Sequence, residues 1–280
     1  MGALAIPVGV CLTTIGVDAR WWLTAARRLE AAGAATAWAW DHFTSRGRRE
    51  DPVLECWTLL AGAAATTERI AVGSFVTNVM NRHPAVLARS VATVASIAPG
   101  RRVELGIGIG GHPAEHRAYG IPWPDVPERV ARLEDAVAML RLLLAGGPVT
   151  REGTRWRLTD AVAFPVPVPT PRITIGGETR AGARLGARIG DAWTCMAERF
   201  DELYPVFLEA LDAVGRRRDE VAVLVGLGTE PRDGAADPAI LDDLAATAAA
   251  WRGRGADELV LRWVRPAGLD AVLAAFERAA

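Results

Sequence analysis

A short apolar run followed by a longer stretch with apolar residues at helical spacing recurs eight times along this chain, and that alternation restricts the fold more than any single motif. The runs at residues 6–13, 36–40, 70–77, 102–109, 173–176, 191–195, 221–227 and 258–263 have the length and apolar content of strands buried in a parallel sheet. Helical periodicity follows each one, at 19–32, 53–66, 84–97, 128–144, 179–189, 200–214, 238–252 and 269–278. Gly33 closes the first helical stretch and Pro84 opens the third, the usual asymmetry of stop and start signals. Eight successive strand-helix units predict a closed (β/α)8 TIM barrel rather than an open doubly wound sheet. The rhythm breaks only between residues 146 and 171, where 149–158 resembles a hairpin around Glu152-Gly153 and alternating prolines follow; this reads as an insertion or lid between the fourth helix and the fifth strand. The 280 residues are read as one domain.

Composition removes several classes of function. With 32 basic and 33 acidic residues there is no overall field to favour nucleic acid or an anionic membrane. Every basic residue is arginine, so neither a lysine Schiff base nor a Walker-type phosphate loop is available. Cys11, Cys56 and Cys195 are scattered and odd in number, which predicts buried thiols in a reducing compartment, with the cytoplasm as the default. No apolar run reaches the roughly 18 residues needed to span a bilayer, and the N-terminus lacks signal-peptide order.

The fourth strand runs into glycines and then a polar turn, and two motifs match there by letter. Gly106, Gly108 and Gly111 spell G-x-G-x-x-G, but His112-Pro113 follows where a dinucleotide site needs a helix, and no second half is evident. His112 to His116 spell H-x-x-E-H, but no third zinc ligand is clear, so no metal is assigned. A plainer reading puts His112 near a helix N-cap and Glu115 in its first turn.

In a TIM barrel the chemistry gathers where strands end. Two exits stand out. Gly176-Gly177-Glu178-Thr179 offers backbone N–H groups and a hydroxyl at a helix N-terminus, a place that favours phosphate; Arg180 adds charge and Glu178 opposes it. Asp41-His42 is an ionisable pair flanked by Trp40 and Phe43, and histidine can move a proton near neutral pH.

Taken together, Asp41-His42-Phe43, residues 73–78, Arg82-His83-Pro84, Gly106-Ile107-Gly108 with His112 and Glu115-His116, Ala118-Tyr119-Gly120, and Ile175-Gly176-Gly177 resemble the bacterial luciferase-like superfamily over nearly the whole chain. The closer likeness is to its coenzyme F420-dependent oxidoreductases. That resemblance implies hydride transfer by a deazaflavin lying across the strand ends, with Asp41 and His42 at its head, Ser74 and Phe75 under its ring, Thr77 and Gly108 along it, and Ile109 and His112 near its tail. Gly176, Gly177, Glu178 and Thr179 would hold its phosphate. His42 is the expected proton-handling residue. The family's supporting bulge, with its non-prolyl cis peptide, is expected at Ser74-Phe75.

The sugar-phosphate dehydrogenases of the family have a glutamate directly after the strand-four G-x-G, where this chain has Ile109, which argues against that particular reaction. Trp40, Phe43, Met196 and Trp263 near the exits favour a small, poorly charged organic substrate. Two other readings stay open: an FMN-dependent monooxygenase on the same barrel, and a flavin-binding barrel without turnover. The resemblance also implies a homodimer through the helices after strands two and three.

Overall fold

Strand β1 (Val8–Leu12), helix α1 (Ala19–Ala32), β2 (Thr36–Ala39), α2 (Cys56–Thr66), β3 (Ala71–Asn78), α3 (Pro84–Ile97) and β4 (Val103–Gly108) form the first half of the chain. A short helix α4 (Pro113–Ala118), a long helix α5 (Val126–Leu144) and the strands β5 (Val149–Glu152) and β6 (Arg157–Ala161) separate it from the second half. That half contains β7 (Arg172–Gly176), α6 (Arg180–Ile189), β8 (Ala192–Met196), α7 (Phe200–Ala213), β9 (Ala222–Gly228), α8 (Ala239–Asp242), α9 (Leu244–Arg254), β10 (Glu258–Val264) and α10 (Pro266–Ala279). The structure is a computed structural model that describes residues 4–45, 47–48, 50–229 and 239–280. Glu230 and Pro238, expected at the β9 exit and the start of the following helix, lie outside the described residues.

Eight strands close into a parallel barrel in the order β1-β10-β9-β8-β7-β4-β3-β2, as the eightfold alternation predicts. β5 and β6 pair antiparallel with each other and take no part in the barrel, and their turn falls at the hairpin expected around residue 153. The differences from the sequence expectation are local. α2 starts at Cys56 rather than 53, because Val53 bridges to Ile15 and the Glu55 side chain caps the helix by accepting the Thr58 N–H. The periodicity at 238–252 belongs to two helices, since the Asp243 side chain accepts the Ala246 N–H and starts α9 afresh. α4 occupies part of what reads as a long loop, with His112 at its N-cap position, Pro113 in its first turn and Glu115 beside it.

Most of the apolar core lies between barrel and helices. A smaller cluster inside the barrel contains Cys11, Trp38, Phe75, Ala192, Leu224 and Val260. Below it four charged residues close the N-terminal end: Glu104 contacts Arg102 and Arg172 at 2.8 Å each, and Glu258 contacts the same two at 3.0 and 2.8 Å. The barrel is therefore plugged at the bottom, and the site must lie at the opposite end. The three cysteines are free and buried, and burial pushes the Cys195 thiol up to about 12. No helix among the described residues is long and apolar enough to cross a membrane.

Candidate active site

The floor of the barrel mouth is built by β3. Its register against β4 shifts between Ser74 and Thr77, and the non-prolyl cis peptide lies at Phe75-Val76. The expectation of Ser74-Phe75 is therefore corrected by one residue: Phe75 stays in the barrel interior, edge-on to Trp38 at 5.6 Å, and Val76 is the residue carried over the neighbouring strands. The glycines receive it. A Cβ at Gly108 would stand 3.2 Å from a Val76 methyl, one at Gly176 would meet both methyls at 3.0 and 3.2 Å, and one at Gly106 would stand 2.1 Å from the Ser74 carbonyl. The G-x-G of β4 thus makes room for a bulge in the adjacent strand.

A chain of hydrogen bonds fixes the bulge from behind. Trp57 Nε1 donates to Thr77 Oγ1 at 3.0 Å, Thr77 donates to Ser74 Oγ at 2.8 Å, and Ser74 donates to the Gly106 carbonyl at 2.8 Å. Ser74 and Thr77, expected along a cofactor, have fully buried side chains whose protons are already placed. Their contribution is the shape of the floor.

Asp41 is likewise turned into the protein. Arg82 grips both of its carboxylate oxygens, at 2.6 and 2.7 Å, and the Asn78 N–H and Asn81 side chain donate to it as well. These contacts tie the β2 exit to the β3 exit, so the next residue, His42, has a fixed origin. Arg82 also pairs with Glu55, and the two carboxylates raise its guanidinium despite burial. His83 serves as the N-cap of α3, its Nδ1 accepting the Ala85 N–H.

His42 is half-buried and its Nδ1 lies 3.0 Å from Glu115 Oε2. Glu115, from α4, is 1% exposed; its other oxygen accepts the Phe43 N–H, and His112 Nδ1 approaches at 3.3 Å. Burial raises this carboxyl, but the His42 hydrogen bond and the Phe43 N–H outweigh it and hold the group below the usual carboxylate range. An ionised carboxylate only accepts, so His42 Nδ1 carries a proton and Nε2 keeps the lone pair of the neutral ring. His116 belongs to a separate support. Asn78 places its oxygen on the Met80 N–H, leaving its Nδ2 to donate to His116 Nε2 at 3.0 Å, and His116 Nδ1 then donates to the His112 carbonyl. Among the described residues no group of three His, Cys, Asp or Glu is placed to hold a metal ion.

On the far side of the mouth, α6 presents its N-terminus after Gly176-Gly177-Glu178-Thr179. Here the expectation of free N–H groups needs correction: Gly177 N–H donates to the Thr194 carbonyl at 3.2 Å, and Gly182 N–H donates to Thr179 Oγ1 at 3.1 Å. Arg180 and Ala181, in the first turn, remain as helix donors without intrahelical acceptors. The Thr179 hydroxyl still has its proton to give outward. Gly177 and Gly182 pack backbone to backbone, since a Cβ at Gly177 would stand 2.6 Å from the Gly182 Cα.

The walls bring together most of the expected substrate contacts. Trp40 stands edge-on to His42 at 5.9 Å and to Trp263 at 6.1 Å. Met196 covers Gly226 inside the barrel, and Phe43 stacks obliquely on Tyr119 at 5.3 Å, outward of the others. Ile109 presents its carbonyl to Arg129, which also holds the Gly110 carbonyl and lies 4.0 Å over the Trp123 ring. The sequence places Val76 and Arg262 at strand exits without a role for either, and Glu115 as a first-turn residue rather than the acceptor of His42. For Arg262 a signal existed: alternation along β10 puts it on the same face as Glu258 and Val260, inside the barrel.

What these exits define is a TIM barrel whose mouth holds a carboxylate-oriented histidine opposite a helix N-terminus, across a floor of glycines. A family model described as luciferase-like monooxygenase matches residues 7–259, and the chain belongs to that family. A protein of Beutenbergia cavernae named F420-dependent glucose-6-phosphate dehydrogenase is 40% identical over 147 residues, covering 52% of this chain and 43% of that one. One of the same name from Intrasporangium calvum is 33% identical over 202 residues, covering 69% and 60%. The chain thus spans about half the length of the curated relatives it matches. A solved F420-dependent secondary alcohol dehydrogenase in complex with an F420-acetone adduct superposes with a TM-score of 0.82 at 19% identity, over 98% of this chain and 99% of that one, a likeness of fold.

Proposed function

We propose that this chain is an F420-dependent oxidoreductase that moves a hydride between the deazaflavin and a small organic substrate, by reduction of a C=C, C=N or C=O bond or oxidation of an alcohol. The observation that carries the reading is His42 held by the buried carboxylate of Glu115 beside the glycine-walled floor under Val76. The names of the relatives support the cofactor, and so does the construction of the mouth. The buried hydroxyls of Thr174 and Thr194 inside β7 and β8 have no hydrogen-bond partner, and α6 offers donors suited to a phosphate.

When bound, the deazaflavin supplies the hydride-carrying centre. The protein supplies position and a proton. His42 Nε2 takes the hydroxyl proton as an alcohol is oxidised and returns it when the reaction runs backwards. Glu115 keeps the ring in the tautomer with a free Nε2 and stabilises the imidazolium that forms. Phe75 and Val76, with Ser74 and Thr77 behind them, shape the floor; Gly108, Ile109 and His112 line the β4 side; Gly176, Gly177, Glu178 and Thr179 bring the phosphate to the first turn of α6, Glu178 through its backbone alone since its carboxylate repels an anion. Trp40, Met196 and Trp263, with Phe43 at the rim, enclose the substrate. A homodimer would cover the outer face of α3, where Val86 is exposed.

Fluorescence titration of the purified protein with F420 and, separately, with FMN tests the assignment. Preference for F420 is the expected result. Preference for FMN transfers the reading to the monooxygenases from which the family takes its description, and binding of neither removes the cofactor assignment.

A further inference from the structure

Inside the β7–β10 side of the mouth stands a buried arginine that the proton-handling machinery does not use. Arg262 is 4% exposed and shares the inner face of β10 with Val260. Its stem packs over Gly226 beside Met196: a Cβ placed on Gly226 would lie 3.6 Å from Arg262 Cδ. Its guanidinium lies 4.0 Å over the Trp263 ring, and Glu198, from the β8 exit, accepts from its Nη2. The Nε hydrogen is buried and has no acceptor. Burial lowers this guanidinium, with Glu198 and Glu178 opposing that shift. The other buried arginines among the described residues, Arg129 and Arg132, belong to α5, and the exposed Arg199, next to Glu198, pairs with Glu202 at 2.8 Å.

A phosphate ester is recognised by a guanidinium that can offer two parallel N–H groups to its oxygens. Here Glu198 already occupies Nη2, one arm of the fork, and Glu178 adds a second carboxyl near the same charge. A dianion entering this corner would have to displace Glu198 and then face two carboxylates. A neutral oxygen needs one donor, and Nε is one without an acceptor.

Resting on the oxidoreductase reading of the site, we propose that the Arg262–Glu198 pair sets substrate class: Arg262 Nε donates to the oxygen of an uncharged alcohol or carbonyl compound held near Trp263, while Glu198, aided by Glu178, excludes phosphorylated ones.

The test titrates the F420-loaded protein with glucose 6-phosphate and with inorganic phosphate by calorimetry. The wild type is expected to show no saturable binding of either up to about 10 mM, a ceiling that marks affinities too weak to be specific. Glu198→Gln should gain glucose 6-phosphate affinity by about tenfold or more, since Arg262 is then released, and Glu178→Gln should gain less. Adding Arg262→Gln to Glu198→Gln should abolish the gain. Saturable phosphate-ester binding by the wild type that depends on Arg262, or a Glu198→Gln protein that still binds F420 and gains nothing, overturns the proposal. Failure of the wild type to bind F420 removes the cofactor reading instead, and the same titrations on the protein alone then decide the charge pairing.

Discussion

Replacing Gly176 by alanine puts a methyl 3.0 and 3.2 Å from the two Val76 methyls, about half an ångström inside ordinary carbon–carbon contact. Overpacking of this kind costs about 1–3 kcal/mol; with two methyls inside contact distance we take about 2 kcal/mol, from which the reduced freedom of the unfolded chain returns ~0.7 kcal/mol, so the expected net loss is roughly 1.3 kcal/mol. Val76→Ala removes both clashing methyls. The double variant Val76→Ala/Gly176→Ala should therefore be more stable than the sum of the single losses by about 1–2 kcal/mol. Gly106→Ala provides the contrast, because its methyl would meet the Ser74 carbonyl at 2.1 Å and only then Val76 at 3.0 Å. Trimming Val76 cannot move a carbonyl, so no comparable rescue is expected there. Urea unfolding of the single and double variants measures these differences, and titration with F420 reports whether the floor has kept its shape. If Gly176→Ala is neutral, or if Val76→Ala rescues Gly106→Ala as well as Gly176→Ala, the account of the glycines as the seat of the Val76 bulge is wrong.

Glu115→Gln keeps the shape of the support but removes the charge that fixes His42, and turnover should fall by about 10²–10⁴-fold with cofactor binding largely retained, as separate fluorescence and steady-state assays would show. Because the folded Glu115 carboxyl lies below its unfolded value, its contribution to stability is complete above the ordinary carboxyl range and drains away as pH falls through the lowered folded value; the stability gap between wild type and Glu115→Gln should shrink with acidification, and a gap independent of pH would refute the assignment. Glu104→Ala leaves Arg102 and Arg172 facing each other at the closed end of the barrel with one carboxylate fewer, so denaturant unfolding should show a loss of about 3–5 kcal/mol. Thr179→Ala removes the cap of α6 and should cost ~1 kcal/mol in stability while weakening any phosphate-bearing ligand, read by the same titration.

The barrel was legible because its signal is local and repeated. Each strand-helix unit carries its own apolar pattern and its own stops, and α1 and α3 begin and end where periodicity, Gly33 and Pro84 place them. Boundaries moved where a side chain outvoted the pattern, as at Glu55 and Asp243. Site positions followed from the rule that strand exits converge, which brought Trp40, His42, Met196, Trp263 and the start of α6 to one mouth without any knowledge of contacts.

Partners within the mouth were a different matter. Asp41 and His42 are adjacent in sequence, yet Asp41 turns to Arg82, 41 positions on, and His42 to Glu115, 73 positions on. A neighbouring pair of ionisable residues does not reveal which of them faces a ligand. The G-x-G of β4 also has two readings as letters, a cradle for phosphate or space for another strand, and Val76 lies between the choices. Arg262 carries its alternation signal openly, but nothing local to it names Glu198 or the unpaired Nε. Strand and helix order, barrel closure and the end at which chemistry gathers are properties of short segments and of chain topology, so the order of residues is enough to state them. Hydrogen-bond partners, the tautomer of His42, the charge state around Arg262 and the one-residue placement of the bulge depend on side chains that meet only after the eight units have closed, at distances and burials that no segment contains alone.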